Sequence, residues 1–454
     1  MSRQPSILSA ISFLLVLLLV NSKPAFGQQS ASGETLTLEQ AISAALRNNR
    51  QVKIKELDVG KSEDELAGGR ALRLPKFNLY SLGSQQLTPI DFMFKQGVFG
   101  TFPGIGPVPD KDTKISTGLK PTVLIIAQIQ EPLSQHYRIG LNIEQLKLGR
   151  EIAREQLRSQ QQTIVNDVTR AYYAIVQSQS AFQTAEENIK LYRELDRVTT
   201  DYVAQRVALK SENLDVKTRL AKAEYDLLTL GDTIATQKEQ LNNLLGRAIS
   251  VEFNVSLPLE TVGFEADLDA ARSRALNQRP EIKKARLELQ RADIDRRIKK
   301  SEFIPDVSMS FNYISPLNFG GIIPKTIASV GLTFSWEVFD WGKKKRELDE
   351  KGKTVEQAKA SLVEIENQIQ IDVNSKHRKL QQTRLQLRIA QLSQETAREN
   401  LRVSTNKYKV QAALLSDVLK TQTALADADQ QYQQALVSFW TAKADFEKAI
   451  GEDK

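Results

Sequence analysis

Residues able to carry out chemistry are few in this chain of 454 amino acids, and they form no catalytic pattern. The sequence has no cysteine, and its only histidines are His136 and His377. It contains neither a nucleophile–base pairing nor a phosphate-binding loop of the GxxxxGK type. Its carboxylates are spread along predicted helix surfaces. The sequence therefore predicts no enzyme, no cofactor and no metal site, and both histidines are expected at the surface.

The carboxylates with the most informative positions lie in two similar segments, 208–214 (ALKSENL) and 413–419 (ALLSDVL). Ser211 and Ser416 are of the type that caps a helix N-terminus. Glu212 and Asp417 follow in the first turn, where the helix dipole favours an acid. Each segment therefore predicts a turn between two helices, and one uninterrupted helix is the alternative.

The first 27 residues have the features of an export signal. Arg3 gives a positive start, residues 11–20 are almost wholly apolar, and Ala25-Phe26-Gly27 is a small-x-small cleavage site. The apolar run is shorter than the roughly 20 residues of a membrane helix, although an uncleaved anchor is the alternative. The mature chain is then expected to be residues 28–454, outside the cytoplasm. Without cysteine, disulfides and a lipid-modified N-terminal cysteine are excluded.

The net charge of +7 does not indicate a nucleic-acid partner. An exported protein rarely meets nucleic acid, and no lysine–arginine cluster is interleaved with aromatic residues. The basic run Lys343–Arg346 is expected at a membrane–water boundary or at a solvated helix start. After the signal, no apolar stretch is long enough for a membrane helix, so strands would have to cross any membrane.

The sequence contains two related halves. A shift of 230 positions aligns Leu38–Lys55 with Leu268–Ala285, and a shift of 205 positions aligns the two ALxSxxL segments. The difference of 25 indicates an insertion in the first half, in the glycine-rich and proline-rich stretch 96–121. We expect repeats of a helix, a β-hairpin and a helical hairpin at 28–250, with the β-hairpin and a long loop at about 76–130, and at 251–454, with the β-hairpin at about 304–340.

Two stretches without glycine or proline, 150–230 and 353–450, predict helices much longer than average. Both are rich in good helix formers. Between Ile164 and Tyr192, apolar residues recur at every third or fourth position, which is a seam of coiled-coil type. A helix of about 65 residues spans roughly 100 Å, so these elements are expected to reach across the periplasm.

Apolar and polar residues alternate in 307–313 and 328–338, which predicts two strands with one apolar face. Their lengths suit strands that span a bilayer with apolar residues outward and polar residues inward. Residues 315–321 between them are predicted as a turn-rich loop. Weaker strands are predicted at 77–84 and 123–129, where Leu124 and Ile126 interrupt the alternation. Two hairpins of a soluble sandwich are the alternative.

Four strands cannot close a barrel. An open sheet in lipid leaves unpaired N–H and C=O groups at its edges, each costing several kcal/mol. Several chains must therefore pool their strands, and three chains would supply twelve. The predicted fold class is mainly α with a small membrane β-barrel portion, in which a long coiled-coil-like α-helical barrel joins four β-strands per chain and a trimer forms a twelve-stranded barrel.

Several motifs, in order and with their duplication, carry a resemblance: 36–49 (LTLEQAISAALRNN), both ALxSxxL segments, 244–247 (LLGR), 279–282 (RPEI) and 304–313 (IPDVSMSFNY). Through them, nearly all of the mature chain resembles the TolC family of outer-membrane factors. The resemblance implies a homotrimer in the cell outer membrane, in contact with its lipid, with a tunnel of twelve helices extending into the periplasm. It also implies a periplasmic membrane-fusion adaptor and, through it, an inner-membrane pump of RND or ABC type.

The function implied is a passive conduit for export across the periplasm and outer membrane, within a tripartite efflux or type I secretion system. The alternative is a periplasmic coiled-coil adaptor or scaffold protein. An adaptor would have a single hairpin and compact β domains, without duplication of the whole chain, so the two shifts argue against it.

The resemblance further implies that the periplasmic tips carry the aperture and the adaptor contacts. The implied residues are Arg206, Leu209, Lys210, Ser211, Glu212, Gln411, Leu414, Leu415, Ser416, Asp417 and Lys420. Asp417 matches an acidic aperture residue, with Glu212 as its counterpart, and three copies of a carboxylate around an opening would favour cations. Plain acids at helix N-termini are the alternative.

The chain departs from the family pattern at the tips. The usual tip glycines are Arg206 and Gln411, a second acidic aperture position is Lys420, and an arginine used in gate bonds is Ala413. The best-known gating network is therefore not expected. We hypothesise that Arg206, Leu209, Lys210, Leu414 and Leu415 contact the adaptor instead.

Overall fold

The chain folds into long helices and one four-stranded sheet, which confirms the predicted fold class at the level of a single chain. The computed structural model describes residues 34–116, 118–119, 121–256, 267–318, 324–410 and 412–453. The predicted export signal, residues 1–27, lies outside the described residues.

The first half contains two short helices, two long strands with smaller strands between them, and two further helices. In chain order these are β1 (Glu34–Leu36), α1 (Leu38–Asn48), α2 (Arg50–Ala71), β2 (Lys76–Gln85), β3 (Asp91–Phe94), β4 (Thr101–Phe102), β5 (Gly106–Pro107), β6 (Thr113–Ser116), β7 (Pro121–Pro132), α3 (His136–Ala204) and α4 (Lys210–Leu244).

The second half repeats this order with a shorter connection between its long strands. Its elements are β8 (Phe253–Val255), α5 (Leu268–Gln278), α6 (Pro280–Ser301), β9 (Asp306–Leu317), β10 (Ile327–Ser335), α7 (Lys343–Lys409) and α8 (Leu415–Ala449). The loop between β2 and β7 holds the β3–β6 and β4–β5 hairpins, which the sequence did not predict.

The longest helices, α3 with 69 residues and α7 with 67, each turn back into a 35-residue helix. The chain turns between α3 and α4 at 205–209 and between α7 and α8 at 410–414, which forms two helical hairpins. The predicted turns are therefore confirmed, and the alternative of one uninterrupted helix is wrong. Helix α3 begins before Gly140 and Gly149, earlier than predicted, because a glycine costs a long helix only about 1 kcal/mol.

The four long strands form one antiparallel sheet in the order β10–β9–β7–β2. Strand β9 continues to Leu317, so residues 315–317 belong to a strand and not to the predicted loop; Pro316 lies opposite Leu124. Strand β10 ends at Ser335, short of the predicted end at Val338. Residues 319–321 of the predicted loop lie outside the described residues.

One face of this sheet is apolar and uncovered in the single chain. Phe77, Leu79, Val330 and Leu332 are each more than 70% exposed. Among the described strands, none covers this face, which argues against the soluble sandwich, and none pairs with the outer edges of β2 and β10. None of the described helices combines the length and apolar character that a membrane-crossing helix requires.

A junction below the sheet joins the two halves. Strands β1 and β8 form a short parallel pair. The buried Tyr172 hydroxyl on α3 accepts from the Ser256 N–H at 3.1 Å and lies 3.0 Å from the Leu36 carbonyl oxygen. Around it, the largest apolar core joins residues of α1, α3, α4, α5, α7 and α8. The sequence did not predict this strand pair.

A glycine follows the last helix of each half and allows close backbone contact. Gly246 has φ of +69° and Gly451 has φ of +79°, both in the left-handed region. A Cβ atom on Gly246 would lie 2.2 Å from the backbone oxygen of Asn48, in helix α1. The glycine therefore lets the end of α4 approach the α1–α2 corner.

We expect Gly246→Ala to lower the stability of the protein by at least about 2 kcal/mol, because left-handed backbone and a backbone clash both oppose a methyl group. The thermal midpoint in detergent measures this loss. Gly149→Ala is the matched control, since no atom lies within 4 Å of its added Cβ; it should raise the midpoint slightly. A midpoint unchanged by Gly246→Ala would contradict the close approach.

A partly buried carboxylate joins three helices. Asp445 on α8 accepts from Arg170 at 2.5 Å and from Asn166 at 3.0 Å, both on α3, and from Lys376 on α7 at 3.0 Å. Burial raises the pKa of Asp445, but these donors outweigh it and hold the pKa below its ordinary value. The charged form therefore stabilises the folded chain.

We predict that Asp445→Asn lowers the thermal midpoint at pH 7 and that this difference shrinks as the pH falls from 7 to well below the ordinary aspartate pKa of about 4. Because the folded pKa is depressed, the stabilisation is present above the unfolded pKa and is lost as the pH falls through the folded value. Asp232→Asn, at an exposed site on α4, is the control and should change little. An equal deficit for Asp445→Asn at both ends of this range would exclude the charge as the cause.

Candidate functional site: the tips of the two helical hairpins

The first tip ends helix α3 with a left-handed residue. Arg206 has φ of +60°. Its N–H donates to the Val203 carbonyl at 3.1 Å, and the Val207 N–H donates to the Tyr202 carbonyl at 2.8 Å. These bonds form a Schellman motif, which usually places glycine at the left-handed position. Arg206 thus adopts the conformation that the missing tip glycine would favour.

The second tip closes in a similar way. The Ala412 N–H donates to the Lys407 carbonyl at 2.8 Å, as Val207 does to Tyr202 in the first tip. Gln411, the counterpart of Arg206, lies outside the described residues. The two tips therefore share the hydrogen bond that reverses the chain direction.

The returning helices begin two residues earlier than the serines predicted. Leu209 and Leu414 occupy the cap positions with extended backbone, and Ser211 and Ser416 lie inside the first turn, so their prediction as N-caps was wrong. The Asp417 carboxylate accepts from the Leu414 N–H at 3.2 Å and takes over the capping role.

Most of the predicted site residues are exposed at the tips. Leu209 is 67% exposed and Leu414 is 70% exposed. The other exposed members are Arg206, Lys210, Ser211, Glu212, Ser416, Asp417 and Lys420. Together these residues place two leucines among charged and polar groups, which is the composition of a surface that contacts another protein.

Leu415 does not belong to this exposed set, and its prediction as an adaptor contact is corrected. It is only 6% exposed. It lies in an apolar cluster with Leu195, Val216, Val418 and Leu419, which draws on α3, α4 and α8. Its counterpart in the first half, Lys210, is exposed. The burial of Leu415 therefore makes the two tips chemically different.

Aromatic and acidic groups bring the two hairpins together near the tips. The rings of Tyr202 and Tyr408 lie 6.1 Å apart. Burial, Tyr202 and Glu212 together raise the pKa of the Tyr408 hydroxyl. Glu212 on α4 thus acts electrostatically on a residue of α7, so both tips form one surface.

Sequence reasoning missed two buried polar side chains behind the tips. The Asn213 amide donates to the Asp196 carboxylate at 2.8 Å and to the Thr199 hydroxyl at 3.0 Å. Gln422, 2% exposed, donates to Asn188, and among the described residues its carbonyl oxygen has no partner. Asn213 precedes Val216 by three positions, and a polar residue on the apolar side of the helix could have identified it.

The tips of one chain bring together no metal-binding cluster in the part that the structure describes. No group of three or more His, Cys, Asp or Glu side chains there could hold a metal ion. Exposed leucines, lysines and carboxylates suit binding to another protein, and several copies would be needed to surround an ion or an opening.

The comparisons with known proteins agree with this architecture. The family described as outer membrane efflux protein matches residues 41–247 and 271–452. The toluene efflux pump outer membrane protein TtgC of Pseudomonas putida is 23% identical over 276 residues, which are 61% of this chain and 53% of that protein. The chain spans about half the length of the curated relatives it matches.

Solved structures show the same fold. The CmeC outer membrane channel of Campylobacter jejuni is 14% identical, with a TM-score of 0.75 over 91% of this chain and 85% of that one. The MtrE outer membrane channel of Neisseria gonorrhoeae is 17% identical, with a TM-score of 0.73 over 91% of this chain and 89% of that one.

We expect Arg206→Gly to stabilise the protein by about 1 kcal/mol, because glycine adopts the left-handed conformation without the steric cost that arginine pays there. Thermal unfolding in detergent measures the gain. Lys217→Gly, at an exposed position inside helix α4, is the control and should cost about 1 kcal/mol. A lower midpoint for Arg206→Gly would show that its side chain holds the turn.

Proposed function

The chain belongs to the outer membrane efflux protein family, and from this we infer that it is one subunit of a trimeric outer-membrane channel. The channel is a passive conduit of a tripartite efflux or type I secretion system. It works with a periplasmic membrane-fusion adaptor and an inner-membrane pump of RND or ABC type, and the pump supplies the energy.

The observation that carries this proposal is the open sheet with one exposed apolar face. Lipid can cover that face, but it cannot pair with the backbone groups at the outer edges of β2 and β10. Pairing of β10 in one copy with β2 in the next satisfies both edges. Three copies then form a twelve-stranded barrel in the outer membrane.

The long helices supply the periplasmic part of the conduit. Helix α3 has 69 residues, which span roughly 100 Å at about 1.5 Å per residue. Because α3 and α7 both start next to the sheet, the tips lie at the far end, about one helix length from the barrel. We propose that residues 1–27 direct export and that 28–250 and 251–454 are the two structural repeats, which the repeated order of elements supports.

The tips are the surface that meets the adaptor in this proposal. Leu209 and Leu414 give each copy two exposed apolar contacts, flanked by Arg206 and Lys210. The carboxylates of Glu212 and Asp417, brought together in three copies, would favour cations at the aperture.

We predict that Leu209→Asp combined with Leu414→Asp reduces adaptor-dependent export by at least about tenfold, because each charge opposes burial of the tip against its partner. Export is measured as dye accumulation in cells that lack their own channel. Leu209→Met with Leu414→Met, which keeps both contacts apolar, should export normally.

The native mass of each variant in detergent separates docking from assembly. Three copies in the wild type and in both variants are expected. Normal export by the Asp variant would exclude the tips as the docking surface. A monomeric wild-type protein, or one absent from purified outer membranes, would overturn the channel itself.

A further inference from the structure

The face of the sheet opposite the lipid-facing side changes character along the strands. Direct partners in antiparallel strands share a face, and residues two positions apart share it as well. One row across the sheet reads Asn78, Gln128, Asn312 and Ser329, and it is wholly polar. This is the face that the proposed channel turns toward its lumen.

The next row on the same face consists of one tyrosine and three isoleucines and is predominantly apolar. Tyr80 lies opposite Ile126, Ile126 opposite Ile314, and Ile314 opposite Ile327. The following row contains Leu82, Leu124 and Pro316. The two apolar rows explain why Leu124 and Ile126 interrupt the alternation of strand β7.

The outer members of these rows stay accessible in the described structure, whereas Ile126 and Ile314 are partly buried and Pro316 is buried. Tyr80 is 54% exposed, Leu82 is 64% exposed and Ile327 is 40% exposed, although they lie on the face opposite to Phe77 and Val330. The lipid-facing side is less apolar at the same level, because Ser81 lies opposite Ile125 there and Ile125 lies opposite Ser315. The apolar rows are therefore not a continuation of the lipid-facing surface.

The topology shows where the boundary between the polar row and the apolar row lies along the proposed channel. Strand β2 runs from helix α2 toward the loop 86–120, so Asn78 lies nearer the helices and Tyr80 nearer the loops. Adjacent rows are two residues apart, which is about 7 Å. A molecule leaving the tunnel would pass the amide row first and the apolar row second.

We propose that this boundary is a binding surface for amphiphilic organic molecules, and the proposal rests on the channel function inferred above. The apolar body of the molecule lies against Tyr80, Ile126, Ile314 and Ile327. Its polar end stays beside the amides of Asn78, Gln128 and Asn312. The surface is open and repeated in each copy, so binding is weak enough to permit release.

The experiment measures block of the K⁺ current through trimers in planar bilayers, with hexyltrimethylammonium added on the loop side. Tetramethylammonium, which has the same charged group without the chain, is the ligand control. In the wild type, each block by hexyltrimethylammonium should last at least threefold longer than each block by tetramethylammonium.

Two triple variants separate the effect of polarity in the apolar row from the effect of side-chain volume. Ile126→Thr, Ile314→Thr and Ile327→Thr together add hydroxyl groups, while Val at the same three positions removes equal volume without adding polarity. The block by hexyltrimethylammonium should shorten at least threefold in the Thr variant relative to the Val variant. Ile314→Thr and Ile314→Val alone should show a smaller difference of the same sign, should the triple variants assemble poorly.

The outcomes distinguish this inference from the channel function. Equal block times in the Thr and Val variants, with normal channels, would overturn the amphiphile surface and leave the conduit standing. Wild-type trimers that give no current steps would overturn the conduit and this inference with it.

Discussion

The pairing of backbone N–H and C=O groups at the sheet edges governs the rest of this structure. Four strands leave β2 and β10 with unpaired outer edges, and a bilayer offers these groups no partner. In the proposed channel, the sheet is therefore complete only between copies of the chain. The long helices α3 and α7 follow β7 and β10 of this sheet, so closing the proposed barrel would also arrange the helical hairpins around a common axis.

The hairpin tips lie far from the largest apolar core, so local packing must hold them in place. A small apolar cluster that includes Leu195, Val216 and Leu415 holds the two hairpins together just behind the turns. The buried Asn213 amide fixes the register of α4 against α3 through its bonds to Asp196 and Thr199. The exposed tip leucines thus project from a base that is held by apolar packing and buried hydrogen bonds.

Much of the fold could be predicted from the sequence because its patterns are long. Alternation in 307–313 spans enough residues to define a strand, and glycine-free stretches define helices. The strand pair β1–β8 could not be predicted, since each strand has three residues and the two lie far apart in the chain.

The details of the tips could not be predicted from the sequence, because they depend on the packing of several helices. Leu415 looked like an exposed tip residue, and only the approach of α3 and α4 to α8 shows that it is buried. The serines matched the residue type of an N-cap, but the extended backbone falls on Leu209 and Leu414. The apolar row was visible in the sequence only as a defect in the alternation of β7. Its meaning required the register across all four strands.

The open edges of β2 and β10 also bear on the genetics of the protein. In the proposed trimer, every copy must offer both edges to close the barrel. One chain with a damaged β10 would then be incorporated beside intact chains through its β2 edge and leave the barrel open. At equal expression of intact and damaged chains, only about one trimer in eight would contain intact chains alone. Defects in the strands should therefore behave as dominant-negative alleles, whereas a chain that never folds should behave as recessive.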